Sequence, residues 1–499
     1  MAKLINTPTV KLGIVGVSRD CFLRSMTENR LKKLMSALRR KKVRAHACTV
    51  IIENEVDALA AIGELLDEGC NAAVIYLGNF GPEGPTSIFA ERFPGPVMVC
   101  AAAEESKAVL KADRGDALCG MLNCSFNLGM RRVPAYIPQL PVGLPADLAG
   151  KIVDFEAIAR VIIGLTNLKV FSFGPRPQDF LACNAPVQPF YDLGVEVMEN
   201  SELDLFQLYK AAGRKKKAIK AVAADMAKEL GPKTAYPDLL PKLAQLEVAL
   251  LDFMEENLGA SEFGVFADKC WPAFEPQFGF VPCYVNGRLA GRGIPVACEV
   301  DLYGATSEYM LQLASMTPAT LLDINNSVPD DVLPKRANLK GAKKEDLFMG
   351  FHCGNTCASC MKSCSMSYQL IMNRLMEGGK TPDITRGVLE GQLKPSPITL
   401  FRLQATPDGE LRSYIAEGEM LDIKTHTFGG TGIVAIPDFA RFYRHVLIGK
   451  RFPHHGGFGF EKVGKILFEA VQMLGVDDIS TPLPSHLPYE GENPFELFG

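Results

Sequence analysis

The amino-acid sequence predicts an α/β protein: two doubly wound α/β domains followed by a β-rich C-terminal domain. Three observations lead there. Wholly apolar strand runs alternate with helical stretches through the first third of the chain. The same strand-to-helix switch returns between about 166 and 318. Past about 320 the texture changes to alternating runs separated by turn residues.

Taken in order, "TVKLGIVGV" (9–17) reads as a fully buried strand, followed by a basic helical stretch near 25–44. Strand "ACTVIIEN", a helix at about 55–69, strand "NAAVIYLG", a short helix and strand "PVMVCAAA" complete the pattern. Uninterrupted apolar strands of this kind belong to a parallel sheet covered on both faces. A helical stretch at 154–163 leads to "VFSFGPRPQDF", another strand and turn, and the boundary of the first domain, 1–165, falls between them. "EVMENSELDLFQLYK" repeats the switch. The Lys215–Lys217 run in the next basic helix reads as a solvated face. After "YPDLLPKL" come a helix to about 257 and strand "EFGVFAD", giving a second domain at 166–318. The third, at 319–499, reads as mostly antiparallel. "ITLFRLQATPDGELRSYIAEGEML" places two alternating runs around Pro407-Asp408-Gly409, a hairpin signal. "FGGTGIVAI" continues the β character, and a helix near 461–475 precedes a Pro-rich tail.

Composition narrows the function classes. With 47% hydrophobic and 22% charged residues the chain can bury large cores, and a net charge of -4 argues against a nucleic-acid partner. No run reaches the roughly 18 apolar residues of a membrane helix, and the first apolar run is too short for a signal peptide. The 14 cysteines are scattered through apolar runs such as "VMVCAAA", as reduced buried thiols of a cytoplasmic protein are. The first strand ends in Gly13-Ile-Val-Gly16, which is not the dinucleotide fingerprint, and no phosphate-binding G-x-x-x-x-G-K-[ST] occurs. No nucleotide cofactor is expected. The loops "GVSRDCF" (Arg19) and "LGNFGPEG" (Asn79, Phe80, Glu83) still stand where such sheets bind ligands, and read equally well as plain turns.

Two anomalies carry chemistry. Of seven histidines, three are glycine-flanked, in "FHCGN" and "FPHHGGFGF". Glycine there lets backbone approach a ligand or bend tightly. Carboxylates also end apolar runs: Glu299 and Asp301 in "IPVACEVDLYGA", Asp323 in "ATLLDINN". A carboxylate in such a place is costly unless paired or metal-bound. Two carboxylates and an imidazole with open positions suit a divalent cation such as Mn2+, which can polarise a carbonyl and its neighbouring hydroxyl.

A third feature is Cys353, Cys357, Cys360 and Cys364 in "FHCGNTCASCMKSCSM". The first three match the C-x3-C-x2-C of radical S-adenosylmethionine enzymes. They lie late in the chain, however, and Ser359 stands where an aromatic usually precedes the third cysteine. A zinc or iron–sulfur site is an alternative. The expected reading is a Cys/Met-rich helix packed in a reduced interior.

At these residues the sequence resembles the L-fucose/L-arabinose isomerase family. The phrases that carry it are "GVSRDCF", "GNFGPE", "GDALCGML", "KCWPAFEPQFGFVPC", "GIPVACEVDLYGA", "HCGN" and "PHHGG", in order along most of the chain. The resemblance implies two Rossmann-like domains before the β-rich one and an aldose–ketose isomerase working through a cis-enediol with a divalent metal, usually Mn2+. Glu299 and Asp323 would be the metal-binding carboxylates that also transfer the proton between C1 and C2, and His455 the metal-binding imidazole. His454 would be a polar neighbour near the substrate. His352 resembles an extra histidine ligand on the arabinose side of the family. With Arg19, Trp271 and Asn355, these two histidines make the substrate-binding set. The implied substrate is a small sugar, L-fucose, D-arabinose, L-arabinose or a modified hexose such as one charged at C6. The implied assembly is a homo-oligomer, commonly a hexamer, with active sites at subunit junctions. The alternative is a non-catalytic sugar-binding or regulatory protein on the same scaffold.

Overall fold

A computed structural model describes residues 4–111, 113–231, 234, 236–372 and 384–495. The chain divides into two compact units: Pro8–Ile163 with Glu469–Gly475, and Met1–Thr7, Gly164–Phe468 and Val476–Gly499. The last residues of the Pro-rich tail, 496–499, lie outside the described residues.

The Pro8–Ile163 unit is built on β1 (Leu12–Val17), β2 (Ala45–Ile52), β3 (Ala72–Leu77), β4 (Val97–Ala102) and β5 (Val142–Gly143), in the order β2-β1-β3-β4-β5. Every pair is parallel. Strands β1, β3 and β4 are buried at all six positions. This burial on both faces is why they read as unbroken apolar runs. The order is that of a doubly wound sheet. The helix expected at 154–163 is longer, Pro145–Thr166, and opens on a proline whose missing N–H costs nothing in a first turn.

The second unit holds two sheets. Strands β6 (Leu168–Gly174), β7 (Glu196–Ser201), β8 (Phe263–Asp268) and β9 (Val296–Cys298) form a parallel sheet ordered β7-β6-β8-β9. The remaining strands are β10 (Ala319–Ser327), β11 (Leu347–His352), β12 (Met361–Tyr368), β13 (Arg386–Leu393), β14 (Ser396–Ala405), β15 (Leu411–Leu421), β16 (Gly430–Ala435), β17 (His455–Gly459) and β18 (Asp478–Ser480). They form one mixed sheet ordered β12-β13-β16-β11-β10-β17-β14-β15-β18, and β16 also pairs with β15. That extra pairing closes β16-β11-β10-β17-β14-β15 into a six-stranded barrel in which each neighbour is antiparallel. Closure removes exposed edges. Strands β13 and β18 attach by parallel pairings.

The helix Leu302–Ser315 is buried at every residue from Tyr303 to Ala314. It packs on β10, β14 and β17 of the barrel and on β6, β8 and β9 of the parallel sheet. A helix with so little solvent-facing surface belongs inside a core, and it carries Thr306, Ser307, Glu308 and Gln312 in with it. It joins the two sheets and starts within the candidate site.

The cysteine-rich helix is a misreading. Cys357 precedes a 3₁₀ turn at Ala358–Cys360, and the next residues are strand β12, antiparallel to β13. Pairing with a strand some 20 residues on overrides the local helical spacing.

Candidate active site

The parallel sheet sets the first wall. From β6 the chain crosses to β7 on one side, and from β8 it runs to β9 on the other, so the order reverses between β6 and β8. Ligands of open α/β sheets sit outside the strand C-termini at such a point. The segment after β6 supplies Phe180 and Cys183, the segment after β8 supplies Trp271 and, on the short helix Phe274–Phe278, Glu275, and Glu299 immediately follows β9. Glu299 and Val300 both take left-handed backbone, at φ 61° and 58°.

The barrel sets the opposite wall by register. On β10, Asp323 is directly opposite Phe351 of β11 on one side and His455 of β17 on the other. Residues paired this way present their side chains on one face. His352 ends β11, and His454 immediately precedes β17.

His455 is the hub. Its Nε2 lies 3.1 Å from Glu299 Oε2 and 3.5 Å from Asp323 Oδ1. Its Nδ1 lies 2.8 Å from Asp301 Oδ2 and 3.6 Å from Cys183 Sγ. Asp301 also receives two bonds from the buried Arg402 guanidinium, at 2.6 and 2.8 Å. A carboxylate so held accepts only, so Nδ1 is the donor and Nε2 is turned toward Glu299 and Asp323. Around this hub, His454 Nε2 is 3.8 Å from Asp323 Oδ1, and Trp271 Nε1 donates to Glu299 Oε1 at 3.4 Å. Phe180 stands edge-on to Trp271 and to His454. The cavity holds about 480 Å3, with Phe180, Trp271, Phe351, Ile371 and Met372 beside Glu299, Asp323, His352 and His454.

Electrostatics differ sharply from group to group. Burial works against ionisation of Glu299, yet the hydrogen bond from His455 and the nearby imidazoles hold its pKa below the usual carboxylate value. Burial wins at Asp323, which rises to about 6 despite His352 and His455. Burial also opposes the charge on Asp301, but Arg402 and His455 keep it ionised well below the usual range. His455 is disfavoured as a cation by burial and favoured by Asp301, Cys183 and Glu299, and the partners prevail. His454 is driven down to about 4 by burial and by the charge of His455.

The donor set fits a divalent cation. Glu299, His454 and His455 form one group able to hold an ion, and Asp323, His352 and His455 form another, with His455 common to both. Ligands at right angles, each roughly 2.1 Å from one cation, lie about 3 Å apart, close to the His455 spacings. His352 Nε2 is buried without a hydrogen-bond partner among the described residues, as a nitrogen reserved for a ligand is.

Of the residues singled out from sequence, Glu299, Asp323, His352, His454, His455 and Trp271 meet in this one site. Asn355 is buried just behind it, its Nδ2 on Cys298 Sγ at 3.5 Å and its Oδ1 without a partner among the described residues. Arg19 belongs to the other unit. There its guanidinium donates to Gly81 O at 2.7 and 3.0 Å and lies over the Phe80 ring. Asp301 was visible as an anomaly without a role. Arg402, Phe180 and Cys183 gave no signal in sequence. The glycines of "PHHGG" serve packing rather than a ligand: a Cβ on Gly456 would stand 2.5 Å from Leu400 Cδ1. The four clustered cysteines diverge. Cys357 and Cys360 face each other, Cys353 sits beside His352, and Cys364 lies on β12. Among the described residues none of the four belongs to a group able to hold a metal.

Fold and site together define an α/β protein with a carboxylate–imidazole centre at a barrel rim. The fucose/sulfoquinovose isomerase N-terminal domain matches residues 13–166, and the L-fucose isomerase C-terminal domain matches residues 350–480. The chain belongs to the L-fucose isomerase family. It is 23% identical over 325 residues to a sulfoquinovose isomerase of Priestia aryabhattai, covering 64% of this chain and 66% of that one. It is 27% identical over 194 residues to the sulfoquinovose isomerase of Alkalicoccus urumqiensis (38% and 37% covered). Against that of Clostridium sp. (strain MSTE9) it is 26% identical over 292 residues, 58% of each. The matches thus span just under two thirds, or less, of these relatives. Among the described residues no helix is long and apolar enough to cross a membrane.

Proposed function

We propose that the chain is a divalent-metal-dependent aldose–ketose isomerase that moves a proton between C1 and C2 of a sugar through a cis-enediol. One observation carries the reading: a single buried imidazole, His455, lies between Glu299 and Asp323 at 3.1 and 3.5 Å at the wall of a sugar-sized cavity. Glu299, Asp323 and His455 would hold the cation, Mn2+ being favoured by hard oxygens with an imidazole. Such a cation polarises a carbonyl and an adjacent hydroxyl when bound.

The chain's own residues do the rest. One of the two carboxylates takes the C2 proton and returns it at C1, while the other manages the hydroxyl protons. His352, His454 and Asn355 orient the sugar hydroxyls. Trp271 and Phe180 cover a ring face and exclude water. Asp301 fixes the His455 ring. Arg19, on the 13–166 domain, is retained as a substrate contact. The three-part division at 165 and 318, the cytoplasmic setting and a homo-oligomer, hexameric by family, belong to the same proposal.

The apolar wall of Phe180, Trp271, Phe351, Ile371 and Met372 favours a sugar with a methyl terminus such as L-fucose. The names of the relatives favour sulfoquinovose as the second reading. Glu299→Gln and Asp323→Asn test the mechanism. Turnover is expected to fall about 10²–10⁴-fold in each, with circular dichroism unchanged. Near-wild-type rates in either variant would overturn it.

A further inference from the structure

The helix Ala117–Arg131 is apolar on two faces. Ala117, Gly120, Met121, Cys124 and Leu128 are buried against its own unit. Leu118, Leu122, Phe126 and Met130 are 68%, 68%, 68% and 71% exposed. They recur every fourth residue and so form one continuous ridge of the kind that packs helix against helix. From Ala117 to Met130, "ALCGMLNCSFNLGM", there is no charged residue, although much of the stretch is exposed. Missing charge beside large apolar side chains marks the centre of an interface rather than a solvated face.

We propose that a second copy of this chain docks on the ridge, the two helices running antiparallel about a two-fold axis between Leu122 and Phe126. The ridge is complementary to itself under that operation. Leu122 meets Phe126 of the second copy, and Leu118 meets Met130 of the second copy. The ends match as well. Asp116, beside Arg114, lies at the N-terminus and Arg132 at the C-terminus, where Arg131 is paired with Glu91 of its own chain, so antiparallel pairing sets Asp116 toward Arg132 and opposes the helix dipoles. Four side chains so exposed offer roughly 500 Å2 of apolar area per copy, over half of the roughly 800 Å2 per partner in a standard interface. The inference names the contact within the proposed homo-oligomer and does not depend on the sugar assignment.

Sedimentation velocity of the full chain, with circular dichroism as a fold control, tests it. The wild type should sediment as an even-numbered assembly. Leu122→Glu with Phe126→Glu should halve its mass. Leu122→Lys with Phe126→Glu sets Lys against Glu across the two-fold and should retain the assembly. Leu203→Glu, at a residue 75% exposed on another helix, should change nothing. A monomeric wild type would overturn the proposal and leave the ridge to a different partner. So would an undiminished mass in the double-Glu variant, or equal dissociation of the Lys/Glu pair.

Discussion

Glu299 and Val300 pay a conformational penalty that the surrounding residues must hold in place. Two consecutive non-glycine residues with left-handed backbone store about 1–3 kcal/mol each, and Val300 is β-branched. The turn aims Glu299 at His455 and sets Asp301 as the cap of the helix Leu302–Ser315, where its Oδ1 also accepts from Gly304 N. If Asp301 positions His455, Asp301→Asn should weaken Mn2+ binding about 10–100-fold, read by titrating free Mn2+ in electron paramagnetic resonance. Unchanged affinity would show that the imidazole needs no support. At this scale much was legible. Glu299, Asp301 and Asp323 stood out because acids at the ends of apolar runs demand a partner. Which groups would hold Asp301 was not legible. Arg402 lies 101 residues from Asp301, and His455 lies 154 from it. Neither leaves a mark near the carboxylate it holds.

Among the elements, local signals were read correctly and long-range ones were not. The hairpin β14–β15 was legible because its turn chemistry is contiguous with its strands. The run from Cys353 to Cys364 was misread because what makes β12 a strand is β13, and helical spacing of thiols is no bar to that pairing. "PHHGG" marked the right strand for the wrong reason. Besides Leu400, a Cβ on Gly456 would meet Tyr414 Oη at 2.9 Å. Gly456→Ala should therefore destabilise the fold by about 1–3 kcal/mol, measured by urea unfolding, as overpacking of a tight core does. A variant as stable as wild type would mean that β17 has room to spare.

Across the whole molecule, the parallel sheets were legible because strands buried on both faces are continuous apolar words. Barrel closure was not, since it depends on β16 reaching both β11 and β15. The β10–β17 pairing in that barrel matters to function. It sets Asp323 and His455 opposite each other, while the turn after β9 of the neighbouring sheet brings Glu299 to them. Neither sheet alone assembles the three groups.

Proton transfer between C1 and C2 at this centre can be observed directly. The most direct test incubates the Mn2+-loaded chain in D2O with L-fucose, D-arabinose, L-arabinose and sulfoquinovose, then removes the metal and records proton NMR. A ketose is expected from at least one sugar, with deuterium at the reacting carbon to the extent that the carboxylate proton exchanges with solvent, and loss of ketose in Glu299→Gln. Undiminished ketose formation in Glu299→Gln, or no conversion of any of the four with Mn2+ shown to be bound, would contradict this mechanism.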